Sequence, residues 1–179
     1  MLIHIIRVTY TTLLFFIVIF SGTLLIAQDT APKPCTQPEA RQFDFWIGDW
    51  EAEWTSKDGE NKKGRNSVRA ILGTCVIFEE FDGRPGNTLI GKSVSVFDPR
   101  SGKWKQTWVD NSGSYLDFSG EFKDNKMVLS REIQIPEGKR IQRMVWYNID
   151  PQEFDWNWEI SDDEGDTWQV AWQIHYSRL

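Results

Sequence analysis

Apolar and polar residues alternate along most of the chain after residue 49, in short runs that turn residues separate. Such alternation gives a β-strand one apolar and one polar face, and no stretch here keeps the period of a helix. The pattern predicts strands at residues 50–57, 65–72, 75–82, 88–98, 103–110, 114–122, 126–135, 139–149, 153–161 and 167–178. Gly, Pro, Asn and Asp dominate between them, as in hairpin turns. We therefore expect an all-β fold, an antiparallel meander barrel of about ten strands.

The same alternation predicts which side chains face the inside of the barrel. Large apolar residues share one face of each strand, while Lys, Glu, Gln, Asn and Ser occupy most of the other. The predicted inner positions are Trp50, Ala52, Trp54, Trp104, Gln106, Trp108, Asp110, Leu129, Arg131, Ile133, Ile141, Arg143, Val145, Tyr147, Phe154, Trp156, Trp158, Val170, Trp172, Ile174 and Tyr176. Ten strands enclose more space than the eight whose side chains just fill a barrel, so we expect some Trp residues to line a pocket.

Aromatic residues are densest where the first predicted strand begins. Phe43 and Phe45 are followed by Trp46, and a Gly-x-Trp element at Gly48 and Trp50 opens the strand. Gly permits a tight turn at this point. The following Trp offers a large apolar area with which to close the floor of a barrel.

Turn chemistry predicts a row of side chains across the sheet. A three-residue loop at Pro136-Glu137-Gly138 would place Arg131 opposite Arg143 on the inner face. Loops at residues 124–125 and 111–113 would add Phe118 and Gln106 to the same row. Two like charges placed side by side in a barrel are unfavourable unless an anion joins them.

This row suggests a ligand. We expect an amphipathic anion, such as a fatty-acid-like molecule, with its head on both arginines and its tail against Trp side chains. The alternative is an internal ion-pair network with Glu79, Glu80 or Asp110 as the counter-charge. The predicted ligand-binding residues are Arg131, Arg143, Gln106, Trp108, Asp110, Phe118, Tyr147, Trp156, Trp158 and Trp172.

The N-terminal residues have the features of a secretory signal peptide. Arg7 precedes an apolar stretch, Ser21-Gly22 interrupts it, and Ala27 suits cleavage. We expect a signal peptide at 1–27, a tail at 28–42 with a helical turn near 38–42, and a barrel domain at 43–179. The protein would then be secreted or periplasmic, without stable membrane insertion after cleavage. The alternative is an uncleaved anchor, because the apolar span is almost long enough to cross a bilayer.

Charge and cysteine content narrow the possible partners. The formal net charge of −6 argues against nucleic acid, and we expect a small, partly apolar ligand instead. Cys35 and Cys75 both lie in the part predicted to be exported, which favours a disulfide over two unpaired thiols. Neither cysteine has a neighbour at metal-ligand spacing, so we predict no metal site.

Candidate catalytic chemistry is sparse. No nucleophile elbow or phosphate loop is present, and His175, predicted to face outward, is a poor candidate for a triad or haem ligand. We therefore predict no cofactor and no catalytic residue. Two alternatives remain: an enzyme acting on a lipid, pigment or glycan fragment through Asp110 or Glu80, and an envelope interaction module.

Residues 161–168 contain one Ser-x-Asp-x-Gly-x-Thr-Trp element, which resembles the Asp-box hairpin of sialidase-type propellers. A propeller needs repeated blades, and the chain has no such repeat. We therefore interpret the segment as a hairpin in which Asp163 binds turn amides and Trp168 packs inward.

Several motifs together resemble one family. They are Phe43-Asp44-Phe45-Trp46-Ile47-Gly48-Asp49-Trp50, Leu72-Gly73-Thr74-Cys75, Trp104-Lys105-Gln106-Thr107-Trp108-Val109-Asp110, Arg143-Met144-Val145-Trp146 and Tyr176-Ser177-Arg178. The set resembles the exported bacterial proteins called domain of unknown function 1579, which are lipocalin-like. The resemblance implies a calycin-type barrel and brings no established activity. Similarity to lipocalins further implies that Arg178 stacks on Trp50.

Overall fold

The computed structural model describes residues 33–136 and 138–179. The predicted signal peptide and the first residues of the predicted tail lie outside this part of the chain. The strands are β1 Gly48–Thr55, β2 Asn61–Ile71, β3 Val76–Asp82, β4 Ile90–Asp98, β5 Lys103–Asp110, β6 Tyr115–Lys123, β7 Lys126–Ile135, β8 Gly138–Tyr147, β9 Glu153–Ser161 and β10 Gln169–Arg178. Two short 3-10 helices, Pro38–Arg41 and Asp44–Trp46, precede β1.

Each strand pairs antiparallel with the next, and β10 pairs with β1, which closes the barrel. The prediction of an all-β, antiparallel meander barrel of ten strands is therefore confirmed. Within residues 33–136 and 138–179 there is no helix with the length and apolarity needed to span a bilayer.

Burial follows the alternation of the sequence on most strands. On β1 the side chains of Trp50, Ala52 and Trp54 are buried, as predicted. On β10 a register irregularity lies between Val170 and Trp172. Val170 is consequently exposed, although its position in the sequence predicts the inner face.

The floor of the barrel is a plug of aromatic rings. Phe43 packs edge-on against Trp104 and Trp146, with ring centroids 4.9 Å and 5.2 Å away. The indole of Trp50 donates a hydrogen bond of 2.8 Å to the carbonyl oxygen of Trp46. Because both ends of the 3-10 segment are held in this way, the chain closes one end of the barrel before β1 begins.

Arg178 covers the plug from the last strand. Its guanidinium carbon lies 4.1 Å from the ring centre of Trp50, so the stacking that the lipocalin resemblance implies is confirmed. The same guanidinium donates a hydrogen bond of 3.1 Å to the carbonyl of Ile47. A Cβ at Gly48 would lie 2.1 Å from Nη1 of Arg178, and φ at this position is +151°. Glycine is therefore required where the arginine crosses the chain.

A disulfide ties the segment before the barrel to the turn before β3. Cys35 and Cys75 are bonded, with their Cα atoms 5.1 Å apart, as predicted. Nearby, Arg41 donates a hydrogen bond of 2.9 Å to the carbonyl of Thr74. The disulfide closes a long loop, and a cross-link of this kind stabilises a fold mainly by restricting the unfolded chain.

The register of the β7–β8 hairpin differs from the prediction by one residue. Ile135 pairs with Gly138, Arg131 pairs with Gln142, and Arg143 pairs with Ser130. The expected pairing of Arg131 with Arg143 is therefore wrong, because two residues rather than three separate the last paired positions. A slip of one residue moves every side chain of a strand to the other face, so Arg143 and Tyr147 point out of the barrel.

The barrel wall is open along part of its height. Pairing between β6 and β7 runs from Lys123 and Lys126 to Ser119 and Ser130 and ends there. Residues 115–118 pair only with β5, and residues 131–135 pair only with β8. The upper parts of β6 and β7 thus leave a gap in the wall at the end of the barrel opposite the aromatic floor.

Candidate functional site

A cavity of about 230 Å³ lies inside the barrel, above the aromatic floor. It is lined by Trp46, Glu79, Phe81, Leu89, Trp108, Asp110, Leu116, Phe118, Trp156, Trp158, Trp172, Ile174 and Tyr176. Six of the residues predicted to bind a ligand belong to this lining: Trp108, Asp110, Phe118, Trp156, Trp158 and Trp172. The sequence pattern places them together because they occupy inner positions of β5, β6, β9 and β10.

The cavity walls are a frame of rings packed edge to face. Trp172 contacts Trp54, Phe81 and Trp156 at ring-centre distances of 5.5, 5.9 and 5.7 Å, in each case nearly perpendicular. Perpendicular packing is the geometry that aromatic pairs favour, so each indole is held by its neighbours. A preformed apolar wall of this kind gives a ligand a large contact area at little conformational cost.

Glycine at one point of the wall makes room for an indole. A Cβ at Gly91 would lie 2.0 Å from the ring of Trp108, so this ring rests directly on the backbone of β4. Because a side chain at position 91 would displace the ring, the shape of the cavity depends on this glycine.

Glu79 is the polar centre of the cavity. Its side chain is 6% exposed and accepts hydrogen bonds from Ser93 Oγ at 2.6 Å and from Asn66 Nδ2 at 2.9 Å. Burial raises the pKa of Glu79 to about 7, although both hydrogen bonds favour the ionised form. Near neutral pH, therefore, this carboxyl group carries a proton in a substantial fraction of molecules.

Tyr176 lies beside Glu79 in the lining. Burial, and then the charge of Glu79, raise the pKa of the Tyr176 phenol well above its usual value, while Asn66 opposes the change. The phenol therefore stays neutral. Together the two side chains present hydrogen-bonding groups on a surface that, apart from them and Asp110, is apolar.

The pKa of Asp110 is shifted in the opposite direction. Burial alone would raise its pKa, but hydrogen bonds from Ser112, Trp108 and Ser114 outweigh it and hold the pKa of Asp110 well below its usual range. The indole of Trp108 contributes one of these bonds, at 3.0 Å. Asp110 is thus an ionised carboxylate at the cavity wall and a poor proton acceptor.

Glu80, the other carboxyl group considered for acid–base chemistry, is outside the barrel. It forms ion pairs with Arg69 and Lys92, and the hydrogen bond from Lys92 is the main reason that the pKa of Glu80 is lowered. The enzyme hypothesis based on Asp110 or Glu80 therefore loses its proton donor. Glu79 is the lining carboxyl group whose pKa is raised.

Gln106, Phe118 and Arg131 form the predicted row, and it leads out of the cavity. Gln106 pairs with Phe118 in register, and the guanidinium carbon of Arg131 lies 5.8 Å from the ring centre of Phe118. All three line a cleft of about 440 Å³ at the gap between β6 and β7. Phe118 lines the cleft and the cavity alike.

The remaining two predicted ligand-binding residues, Arg143 and Tyr147, lie on the outer surface. Arg143 forms an ion pair of 2.6 Å with Glu159, and its guanidinium carbon lies 3.5 Å from the ring centre of Trp168. Tyr147 donates a hydrogen bond of 3.2 Å to Asn157. The two arginines therefore cannot hold one anion inside the barrel.

The hairpin at residues 161–168 forms partly as predicted. Asp163 accepts a hydrogen bond of 2.9 Å from the backbone amide of Thr167, as the sequence indicates. Trp168, however, packs on Arg143 at the outer surface, so the prediction that it packs inward is wrong.

His175 faces outward, with Nδ1 2.9 Å from Asp155. In the described part of the chain, no group of three or more His, Cys, Asp and Glu side chains is placed to hold a metal ion.

Glu79 and Tyr176 are not among the predicted ligand-binding residues, although the alternation predicts an inward Tyr176 and Glu79 is one of the possible internal counter-charges. The signal for Glu79 is the alternation of Ile77, Glu79 and Phe81, all buried on β3. It is easily overlooked, because two acidic residues follow one another and either could face inward.

Comparison with known proteins identifies the family of this chain. The comparison with curated proteins gives no significant match. Among solved structures, a redesigned beta barrel is similar at 12% identity, with a TM-score of 0.34, over 78% of this chain and 96% of the other. The family model described as protein of unknown function (DUF1579) matches residues 36–178, which include the whole barrel. The chain belongs to the DUF1579 family.

Proposed function

We propose that this protein is an exported binding protein that holds a small, largely apolar molecule in the lumen of its barrel. The observation that carries the proposal is the cavity itself, which is lined by Trp side chains and by the buried carboxyl group of Glu79. Pockets that combine an apolar wall with a few convergent polar groups are typical ligand sites. The disulfide between Cys35 and Cys75 supports export, because such bonds persist in oxidising compartments.

Size and polarity restrict the ligand. A volume of about 230 Å³ is below the range of about 300–1,000 Å³ found for drug-sized ligands. It favours a molecule with one or two rings or a short alkyl chain. Glu79 and Tyr176 offer hydrogen bonds to a hydroxyl or carbonyl group of that molecule. The ionised Asp110 disfavours a negative charge inside the cavity.

Native mass spectrometry on the secreted protein, with organic extraction of any bound molecule, tests the proposal. Its matched variants are Leu116→Phe, which fills the cavity, and Val109→Phe, which adds the same bulk on the outer face nearby. We expect Leu116→Phe to lose the bound mass and Val109→Phe to keep it. A further assay measures the binding of indole and 2-naphthol to both variants by calorimetry. Equal binding by both variants would show that the lumen is not the site.

One observation supports a second candidate, a proton-transfer enzyme that uses the same cavity. A carboxyl group with a pKa of about 7 in an apolar pocket can donate or accept a proton near neutral pH. The test is to incubate the extracted molecule with fresh protein and follow its chemical structure by mass spectrometry. Conversion by the wild type but not by Glu79→Gln would favour the enzyme. A molecule that is bound and released unchanged would favour the binding protein.

A further inference from the structure

We propose that the cleft between β6 and β7 is a carboxylate-binding subsite, in which Arg131 holds the acidic end of an amphipathic ligand whose apolar part lies in the cavity. The proposal rests on the function proposed above and names the class of ligand: a short-chain or aromatic carboxylic acid. It retains one arginine of the pair that the sequence suggests and places the acid outside the lumen.

The first observation is that the barrel wall opens at this point. Residues 115–118 of β6 and 131–135 of β7 do not pair with each other. Their facing backbone groups therefore do not form the hydrogen bonds that join other neighbouring strands. The gap holds about 440 Å³. Its rim carries the hydroxyl group of Ser119, which accepts from Lys105 and can itself donate to an anion.

The second observation is that Arg131 lacks a counter-charge. Among the described residues its guanidinium has neither a hydrogen bond nor an ion pair, and Nη1 is buried without a partner. A buried charged donor without an acceptor is costly, and a carboxylate that binds the guanidinium fork removes this cost. The guanidinium carbon lies 5.8 Å from the ring centre of Phe118.

The other charged side chains of the cleft already have partners. Asp117 accepts a hydrogen bond of 2.8 Å from Thr107, and Glu132 lies 3.3 Å from Lys139. Lys105 donates to Ser119 at 2.9 Å. Neither carboxylate of the cleft is therefore bound to Arg131, which remains the group best able to take an anion from outside.

Phe118 connects the cleft with the cavity. Its ring lines both, with Trp158 on one side at 5.7 Å and Arg131 on the other. A chain that passes beside this ring has its apolar part among the Trp side chains and its end at the guanidinium. The ligand is thereby oriented with its acid in the cleft and its apolar end toward the floor.

The experiment compares two probes that differ only in the head group, octanoate and 1-octanol. Binding is measured by calorimetry at about pH 6, where a carboxylic acid is ionised. The variants are Arg131→Gln, which removes the charge, and Arg131→Lys, which keeps the charge but removes the fork. Arg69→Gln is the control, because Arg69 is an exposed arginine on the outer face.

We expect Arg131→Gln to weaken octanoate binding about 10- to 100-fold and to leave octanol binding unchanged. Arg131→Lys should give an intermediate loss, and Arg69→Gln none. If Arg131→Gln leaves octanoate binding unchanged, or weakens both probes equally, the subsite is refuted. In that case the proposed function still holds if the wild type binds octanol and Leu116→Phe does not. If the wild type binds neither probe, the subsite fails, and the native mass measurement then decides the proposed function separately.

Discussion

The raised pKa of Glu79 predicts a specific dependence of stability on pH, which replacement by Gln should abolish. Glutamine has the shape of a protonated glutamate and keeps a side-chain oxygen that can accept from Ser93 or Asn66. It cannot ionise. The difference in unfolding free energy between Glu79→Gln and the wild type therefore isolates the titration of this one group from all others.

The expected magnitude follows from the two pKa values. The pKa of Glu79 is about 7 in the folded protein, against 4.5 for an ordinary glutamate, the value that applies in the unfolded chain. The folded state then holds the proton over a range where the unfolded state has lost it, so stability falls as the pH rises from about 4.5 to about 7. Across the whole range the loss is about 3 kcal/mol, and most of it lies between about pH 5 and about pH 8.

Urea unfolding followed by Trp fluorescence measures this difference. As the pH rises from about 5 to about 8, the free energy of unfolding of Glu79→Gln should increase by about 2–3 kcal/mol relative to that of the wild type. Glu80→Gln is the control, because Glu80 is adjacent in the chain but lies on the outer face, where ion pairs lower its pKa. If the difference between Glu79→Gln and the wild type is constant with pH, Glu79 does not retain its proton on folding, and the description of the cavity as a site with a neutral acid is wrong.

Three further predictions concern the frame around the site. Replacing Cys35 and Cys75 by Ser should lower the free energy of unfolding by about 4 kcal/mol, because the disulfide spans 40 residues. Thermal melting of this variant, and of the wild type with and without reductant, measures the loss. Gly91→Ala should push the ring of Trp108 into the cavity, weakening octanol binding in calorimetry and changing the near-ultraviolet circular dichroism. Arg178→Met should cost about 1–3 kcal/mol in urea unfolding, because it removes both the stacking on the floor tryptophan and charged hydrogen bonds to two carbonyl groups.

The barrel and much of its lining could be predicted from the sequence because strand alternation is a local property. Inner and outer faces differ clearly on β1, β5 and β9, where Trp residues lie two or four positions apart on one face and mostly polar residues occupy the other. Turn residues separate these strands at regular intervals, which is enough to predict a meander. The chain order of the strands then gives their order in the barrel.

The face of β8 could not be predicted in this way, for two physical reasons. Its register depends on how many residues of Pro136-Glu137-Gly138 form the loop, and both a two-residue and a three-residue loop suit this sequence. In addition, the outer surface here is itself covered. Trp168 lies over Arg143, and Val145 is only 7% exposed, so the outer face of β8 has an apolar content that resembles an inner face.

Glu79 illustrates a different limit of sequence reasoning. Glu79 and Glu80 are chemically identical neighbours, and from the sequence either could be the internal counter-charge. Their environments separate them, since one is buried among rings and hydroxyl groups and the other lies between two cations. Which of the two faces inward determines which has the raised pKa, and only the register of β3 decides that.

The charges around the cavity argue for one orientation of an acidic ligand. Inside the lumen, an anion would meet the ionised Asp110 and, above about pH 7, an ionised Glu79 as well. In the cleft it would meet Arg131, whose Nη1 is buried without a partner. The carboxylates that also line the cleft, Asp117 and Glu132, already contact Thr107 and Lys139. We therefore expect the free energy of a carboxylate to be lower in the cleft than in the cavity, while the aromatic lining favours the apolar part of the same molecule. A neutral ligand has no such preference between the two ends, so the contrast between octanoate and octanol reports the orientation as well as the site.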